Sequence, residues 1–323
     1  LIINSNSTRP SHIAFKRDGL NQGVLRLENS TTLLGSLNNG STLGSDSLGI
    51  GKNIVSSGSK SVAIGSGANA TGTNSISIGQ NSEAQFLSVA VGNAAKANST
   101  SGGNSAVGVA IGSNAKSTNT AAIAIGSEAS ASGSNSIAMG QQSEASGLYS
   151  ISLGMISKAT GSDSIAIGVR SDDRGARGNQ SIAIGYLTGA ISDYGTALGA
   201  SAEANEYSTA LGTSTTASST YSTAIGNNAN ASNTDAVAIG SRGVTASGES
   251  SVAIGSKADA AITTASGSGS IAIGDGAVAT GDWSVALGTM TEAKGLNNVA
   301  LGINACKGVT GSNKTCIGAD SGP

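Results

Sequence analysis

Residues 121–140, AAIAIGSEASASGSNSIAMG, contain one full period of the repeat that decides the fold. The main element is Ser-[Ile/Val]-Ala-[Ile/Leu]-Gly, as in Ser136-Ile137-Ala138-Met139-Gly140, and a weaker Ala-x-Ala element such as Ala129-Ser130-Ala131 follows each glycine. Both elements alternate with a period of two, which is typical of β-strands and not of helices. Each period therefore predicts two short strands and two turns.

The repeat fills the chain from about residue 46 onward. Eleven of the 18 intervals between its closing glycines are 14 residues long. Identical units of this kind stack as parallel ladders, so the pattern predicts a β-solenoid of about 14-residue turns. At a strand separation of about 4.8 Å, 19 turns would stack into a rod roughly 90 Å long. The closing glycines are Gly51, Gly65, Gly79, Gly92, Gly112, Gly126, Gly140, Gly154, Gly168, Gly185, Gly199, Gly212, Gly226, Gly240, Gly255, Gly274, Gly288, Gly302 and Gly318.

The composition limits the classes of fold and partner. Of 323 residues, 48 are Gly, only one is Trp and two are Phe, so a conventional aromatic-rich core is not expected. The formal charge of −2 argues against nucleic acid as a partner. No run of about 20 apolar residues is present, so no transmembrane helix is predicted. Neither a signal peptide nor an anchor is recognisable, and we expect both to lie outside this sequence.

The two faces of the first strand differ in residue size. The residue before each closing glycine is always large and apolar, and the residue two places before is small in 18 of 19 copies. The residue three places before is Ile, Val or Leu, except at Thr196, Thr209, Thr223 and Thr315. We expect the Ala faces of the two strands to meet inside a thin roll. The converse packing, with Ile and Val inside and Ala at a subunit seam, is the alternative.

The large face of the first strand then has no cover within the chain. Burial stabilises each such side chain by about 1.5–3 kcal/mol, so we expect an obligate homo-oligomer in which neighbouring chains cover this stripe. The candidate seam residues are Val62, Ile64, Ile137, Ile165, Ile167, Ile182, Ile184, Ile271 and Ile273.

One of the four long intervals carries a charged candidate ligand-binding loop. Extra residues in a solenoid bulge outward as loops, and such loops often carry recognition. The interval from Gly168 to Gly185 concentrates charge in a chain that otherwise has little of it. A solvated loop without a ligand is the alternative interpretation. The candidate residues are Arg170, Asp172, Asp173, Arg174 and Arg177.

Aromatic residues recur at one position of the repeat. Tyr149, Tyr194, Tyr207, Tyr221 and Trp283 all lie five residues before a closing glycine, where Asn is common. Since Tyr194, Tyr207 and Tyr221 occupy successive turns, we expect a ladder with a spacing of about 4.8 Å. An exposed aromatic ridge suits protein binding, and packing of a corner against itself or a neighbouring subunit is the alternative.

The cysteines indicate a structural role, and no catalytic site is expected. Cys306 and Cys316 lie close together in sequence, which favours a disulfide formed in an oxidising compartment over free thiols. His12 is the only histidine and is remote from both, so neither a metal site nor histidine-dependent catalysis is predicted. We expect no cofactor and no enzymatic activity.

With these residues the chain resembles the head of a trimeric autotransporter adhesin of the YadA type. The resemblance rests on Asn-Ser-[Ile/Val]-Ala-[Ile/Met]-Gly, as in Asn135 to Gly140, on the Ala pair that follows and on the 14-residue register. It implies a left-handed parallel β-roll, assembled as a homotrimer and displayed on a Gram-negative cell surface. It also implies binding to host extracellular-matrix proteins, cell surfaces or abiotic surfaces.

The resemblance also sets the expected domain organisation. Residues 1–45 lack the repeat and are expected to form a cap or a small preceding module, residues 46–318 the head repeats, and residues 319–323 the start of a connector. A structural phage or cell-surface fibre and a lattice-binding (ice-binding) solenoid are the alternatives to an adhesin.

Overall fold

In the computed structural model, residues 11–17, 20–28, 31–36, 42–98, 107–168, 174–258 and 261–322 are described. Every regular element in these ranges is a β-strand. None of the ranges includes a helix with the length and hydropathy needed to span a bilayer. The chain forms two compact units, Leu1–Ala159 and Thr160–Pro323.

The first unit begins with an antiparallel meander. Strands β1 (Ser11–Arg17), β2 (Leu20–Glu28) and β3 (Thr31–Ser36) pair in sequence order. Strand β3 then pairs in parallel with the first strand of the next turn, and Gly35 lies opposite Gly51. The parallel stack therefore starts one turn before residue 46. Leu33 stands where the repeat has a small residue, which hides this turn in the sequence.

Two parallel ladders make up the rest of the first unit. The ladder of first strands continues from β3 with β5 (Leu48–Lys52), β7 (Val62–Ile64), β9 (Ile76–Ile78), β11 (Val89–Val91), β13 (Val109–Ile111), β15 (Ile123–Ile125), β17 (Ile137–Met139) and β19 (Ile151–Leu153). The ladder of second strands is formed by β4 (Thr42–Leu43), β6 (Val55–Ser56), β8 (Asn69–Ala70), β10 (Glu83–Ala84), β12 (Lys96–Ala97), β14 (Lys116–Ser117), β16 (Ser130–Ala131), β18 (Glu144–Ala145) and β20 (Lys158–Ala159).

The second unit repeats this plan. Its first strands are β21 (Ile165–Ile167), β23 (Ile182–Ile184), β25 (Thr196–Leu198), β27 (Thr209–Leu211), β29 (Thr223–Asn227), β31 (Val237–Ser241), β33 (Val252–Gly255), β37 (Ile271–Ile273), β39 (Val285–Leu287), β41 (Val299–Leu301) and β42 (Thr315–Ile317). Its second strands are β22 (Gly175–Ala176), β24 (Gly189–Ala190), β26 (Glu203–Ala204), β28 (Thr216–Ala217), β30 (Asn230–Ala231), β32 (Thr245–Ala246), β36 (Thr264–Ala265), β38 (Val278–Ala279) and β40 (Glu292–Ala293). The long interval before Gly274 adds a small antiparallel hairpin, β34 (Lys257–Ala258) and β35 (Ala261–Ile262).

Each 14-residue period consists of two similar halves of seven residues. In Gly65–Thr71 and in Gly72–Ile78, the N–H of the fourth residue donates to the carbonyl oxygen of the first at 3.3 Å and closes a tight turn. The third residue of each turn is left-handed, with φ of +72° at Gly67 and +55° at Asn74. A strand follows each turn, and its small residues point inward.

The interior contains little except small side chains. Ala124 and Ala138 of first strands pack in one cluster with Ala131 and Ala145 of second strands and with Ala129, which directly precedes β16, and all five are fully buried. The ladder register places Ala110, Ala124 and Ala138 directly opposite one another. This confirms that the Ala faces of the two strands meet inside the roll, and the converse packing is wrong for this chain.

The serine that opens the main motif forms a buried hydrogen bond across the preceding turn. Ser61, Ser136 and Ser251 are fully buried, and each hydroxyl donates to the carbonyl oxygen three residues earlier at 2.6–2.7 Å. The backbone N–H of Ser251 donates to the same Gly248 oxygen at 3.3 Å, so the hydroxyl adds a second hydrogen bond to the turn. The motif therefore encodes a turn as well as a strand.

The small interior predicts a strong effect of enlarging one buried alanine. Replacing Ala166 with Leu forces a larger side chain into a fully buried position of the second unit, and overpacking of this kind costs about 1–3 kcal/mol or more. We expect a lower midpoint of thermal unfolding by circular dichroism. The control is Ile165→Leu, which changes the outward neighbour and is expected to leave the midpoint within a few degrees. Equal midpoints for both variants would contradict the packing.

Replacing a closing glycine with alanine is expected to destabilise the roll for two separable reasons, which are backbone strain and collision with the next turn. Gly274 has φ +128°, and a Cβ there would collide with the carbonyl oxygen of Gly288 in the next turn. Gly318 has φ +113°, but nothing lies within 4 Å of its added Cβ. Gly318→Ala is expected to cost about 1–3 kcal/mol from backbone strain alone, and Gly274→Ala more. Chemical denaturation of both variants measures the difference in their free energy of unfolding. Equal losses of stability would contradict a contribution from the close approach of the next turn.

Candidate functional site

The three successive tyrosines form the predicted ladder. The ring centroids of Tyr194 and Tyr207 lie 4.6 Å apart with planes 10° from parallel, and those of Tyr207 and Tyr221 lie 5.1 Å apart at 25°. The exposed fractions are 43% for Tyr194 and Tyr207 and 56% for Tyr221. Because the rings stack face to face, their edges and hydroxyl groups point to solvent. We call Tyr194, Tyr207 and Tyr221 the tyrosine ladder.

The backbone position explains why the ladder is regular. Tyr194, Tyr207 and Tyr221 have φ of +60°, +52° and +60°, since each is the left-handed third residue of a turn. Most turns have a different residue there, for example Asn74 and Asn135 at φ +55° and +56°. The frequent Asn at this position was the sequence signal for a left-handed conformation, because Asn tolerates it better than most residues.

Negative charge surrounds the ladder. The pKa of the Tyr207 hydroxyl is raised above its ordinary value by partial desolvation, then by its two ring neighbours and by the carboxylates of Glu206 and Asp193. Asp193 is also held in place, because its Oδ1 accepts a hydrogen bond from the backbone N–H of Asn179 at 2.8 Å.

Other aromatic residues lie apart from the ladder. Tyr149 and Trp283 occupy the equivalent left-handed position, with exposed fractions of 55% and 65%. The Trp283 ring lies over Gly269 of the preceding turn, where an added Cβ would meet the ring at 2.5 Å. Tyr186, which follows Gly185 directly, is 52% exposed and was missed by the sequence pattern because it occupies a different corner.

The charged loop is shorter than predicted. Arg170, Asp172 and Asp173 lie outside the described residues. Gly175–Ala176 form β22, are buried and pair with β24, so the insertion lies before this strand and the loop does not extend to Arg177. Arg174 Nη2 lies 3.5 Å from Glu203 Oε2, and its Nη1 donates to the carbonyl oxygen of Leu187 at 3.2 Å. The Arg174 side chain is therefore fastened to the roll.

The candidate seam residues lie on the outward face of the first strands. In unit 1, Val62, Ile64 and Ile137 are half-buried, and in unit 2 Ile273 is 38% exposed. The candidates that share this half-buried state in unit 2 are Ile165, Ile167, Ile182, Ile184 and Ile271. Their row is apolar in nearly every turn, and the intervening alanines point inward.

The outward face of the second strands is polar by contrast. In the first unit its successive residues are Asn69, Glu83, Lys96 and Lys116. Lys96 Nζ lies 3.1 Å from Glu83 Oε1, and Asn98 Nδ2 donates to Glu83 Oε2 at 2.8 Å. Partial burial alone would raise the pKa of Glu83, but these bonds from Asn98 and Lys96 bring it below its usual value. The roll therefore has one apolar and one charged outer face in this unit.

A disulfide fastens the last long interval. Cys306 and Cys316 are bonded and buried, with Cα atoms 5.4 Å apart. Asn298 replaces the motif serine in this turn, and its longer side chain reaches into the same loop. Its Nδ2 donates to the carbonyl oxygen of Gly311 at 2.7 Å, and its Oδ1 accepts from the N–H of Lys314 at 2.9 Å. These contacts hold the loop against β41 and β42.

The described residues bring together no metal-binding group. Across those ranges, no three His, Cys, Asp or Glu side chains come close enough to hold an ion. The features that stand out are surfaces: a stacked aromatic corner, an apolar face and a charged face. Such surfaces are suited to contacts with other macromolecules.

Comparison with known families identifies the repeat. The profile of the YadA head domain repeat matches residues 56–82, 108–129, 131–155, 156–171, 176–202, 204–229, 217–242, 245–261 and 265–289, which together cover more than half of the chain. A search of curated protein sequences gives no significant match.

Proposed function

The chain belongs to the YadA head domain family, and we propose that three copies of it associate side by side as the head of a trimeric autotransporter adhesin. The proposed assembly is a homotrimer of left-handed rolls that binds surfaces without catalysis and without a cofactor. Its handedness and the number of subunits are taken from the resemblance to this family.

The exposed apolar face of the first strands is the observation that supports a trimer. In the first strands from β5 to β42, the large side chains point outward and the small residues between them face the buried interior. Ile111, Leu211 and Leu301 remain 38–43% exposed in the single chain. Covering one half-exposed side chain of this size gains roughly 1 kcal/mol, and the gain recurs in nearly every turn. A second and a third copy with the same apolar row supply a matching cover.

The other surfaces support display and adhesion. A disulfide such as Cys306–Cys316 is stable in an oxidising environment, in keeping with exposure on a Gram-negative cell surface. The proposed partners are host matrix proteins, cell surfaces or abiotic surfaces. Each contact would be present three times on the trimer, so weak contacts gain from avidity. In this proposal β1 and β2 cap the stack and protect the strand edge of β3.

The first prediction of this proposal concerns the mass in solution. Multi-angle light scattering is expected to give about three times the chain mass of 31.0 kDa. Ile137→Glu places a charge on the apolar face and is expected to reduce the mass to that of one chain or to unfold the protein. Ser130→Glu is the matched control, since Ser130 lies in the same turn on the outward face of a second strand. A folded wild-type monomer would overturn the assembly.

The second prediction concerns binding. Purified wild-type protein and Ser130→Glu are expected to bind at least one of a panel of immobilised matrix proteins, cultured cells or abiotic surfaces in a plate assay. Ile137→Glu is expected to lose most of the retained signal because a monomer loses avidity. A trimer that binds none of these targets would contradict the adhesive role and favour a structural fibre.

A further inference from the structure

The tyrosine ladder lies in a stretch of the second unit without basic residues. Residues 178–241 contain no Lys or Arg, whereas they contain Asp193, Glu203, Glu206 and Asp235. Glu203, which lies on the second strand β26, forms an ion pair with Arg174. Glu206 and Asp235 are exposed, and neither forms an ion pair among the described residues. The corner around the ladder is therefore negatively charged.

The ladder ends at Tyr221, which is 56% exposed and stacks on one other ring among the described residues. Tyr207 stacks on one face of Tyr221, and the equivalent residue of the following turn is Asp235 and not another aromatic residue. The backbone N–H of Asp235 donates to the carbonyl oxygen of Thr220 at 3.2 Å, which places the two turns next to each other. The face of Tyr221 that points away from Tyr207 is therefore on the side of the turn that carries the Asp235 carboxylate.

The fold alone does not call for tyrosine at these positions. A left-handed conformation costs an L-residue roughly 1–2 kcal/mol, and Asn or Gly adopts it more readily. Stacking recovers about 0.5–1.5 kcal/mol per ring pair. Three successive tyrosines therefore bring no clear gain in folding over Asn, and their edges are presented to solvent.

From this arrangement we propose that Tyr221 and Asp235, extended by Tyr207 and Glu206, form a docking site for Arg or Lys side chains of a basic protein segment. A cation placed between an aromatic face and a carboxylate is attracted by both. The phenol hydroxyl groups of the ladder offer further hydrogen-bond acceptors to a guanidinium group. The carboxylates of Glu206 and Asp193, which contribute to the raised pKa of Tyr207, would also attract a cation at this site. The inference rests on the proposed function, because it names the partner chemistry of the same adhesive head.

The test measures binding of a fluorescent nona-arginine peptide to the full chain by anisotropy at low salt. Tyr221→Asn and Asp235→Asn are each expected to weaken binding about fivefold, and the double variant more than tenfold. Tyr221→Phe keeps the ring face and is expected to stay within about twofold of wild type. Raising the salt concentration is expected to weaken wild-type binding, since exposed charges are screened.

Two matched control variants distinguish peptide binding at this site from binding through general negative charge or through any exposed tyrosine. Asp46→Asn removes the same charge at the equivalent left-handed position of a turn without tyrosine, where Asp46 has φ +56°. Tyr186→Asn removes an equally exposed tyrosine from a different corner. Both controls are expected to bind the peptide like wild type, and circular dichroism confirms folding of each variant.

The outcomes distinguish this site from the proposed function. Equal weakening of peptide binding by Asp46→Asn and Asp235→Asn, or no effect of Tyr221→Asn on peptide binding, would overturn the site. The peptide would then be held only by the general negative charge of the protein. The same preparations are tested for trimer mass and for binding to the matrix panel. A trimer that binds matrix proteins but not the peptide overturns the docking site alone, whereas a monomer that binds neither overturns the adhesin as well.

Discussion

The contact of alanine with alanine between two strand ladders is the constraint on which the rest of the structure depends. Ala124 and Ala138 pack in one cluster with Ala129 and Ala131, in an interior formed mainly by small residues. Such an interior gains little from burial per residue, because Ala offers a small apolar area. Backbone hydrogen bonds between successive turns carry much of the order instead. Close approach of the turns then requires glycine where one backbone lies over the next, as at Gly126.

This thin interior determines which side chains the two ladders present on their outer faces. Because small residues take the inward positions of the first strands, the Ile and Val side chains of these strands form an outward face, whereas the second strands present Glu83, Lys96 and their neighbours to solvent. A globular protein hides its large residues in its own core. Here the same residues face outward, and in the proposed trimer other copies of the chain would cover them.

The sequence predicted the features that depend on period and residue size. The strands and the stacked tyrosines follow from spacing, because every turn repeats the same environment. The inward direction of Ala was favoured by residue size, and the converse packing stayed open. The sequence did not reveal that β3 already belongs to the stack, since Leu33 breaks the small-residue rule there. It also overextended the charged loop, because Gly175–Ala176 form a strand without the usual Ala-x-Ala pattern. The assembly partner and the bound surface depend on contacts outside the single chain, which spacing does not encode.

A regular stack turns one position of the repeat into a surface. Whatever residue occupies the left-handed corner is copied at intervals of about 4.8 Å, so a change in three turns creates a ridge and not a scattered set. The ridge formed by Tyr194, Tyr207 and Tyr221 ends where Asp235 replaces the aromatic residue. Thr196, Thr209 and Thr223 replace the large apolar residue in the same three turns. Both outward positions thus change together while the Ala interior stays constant, so a uniform roll acquires a local difference in its surface without any change of fold.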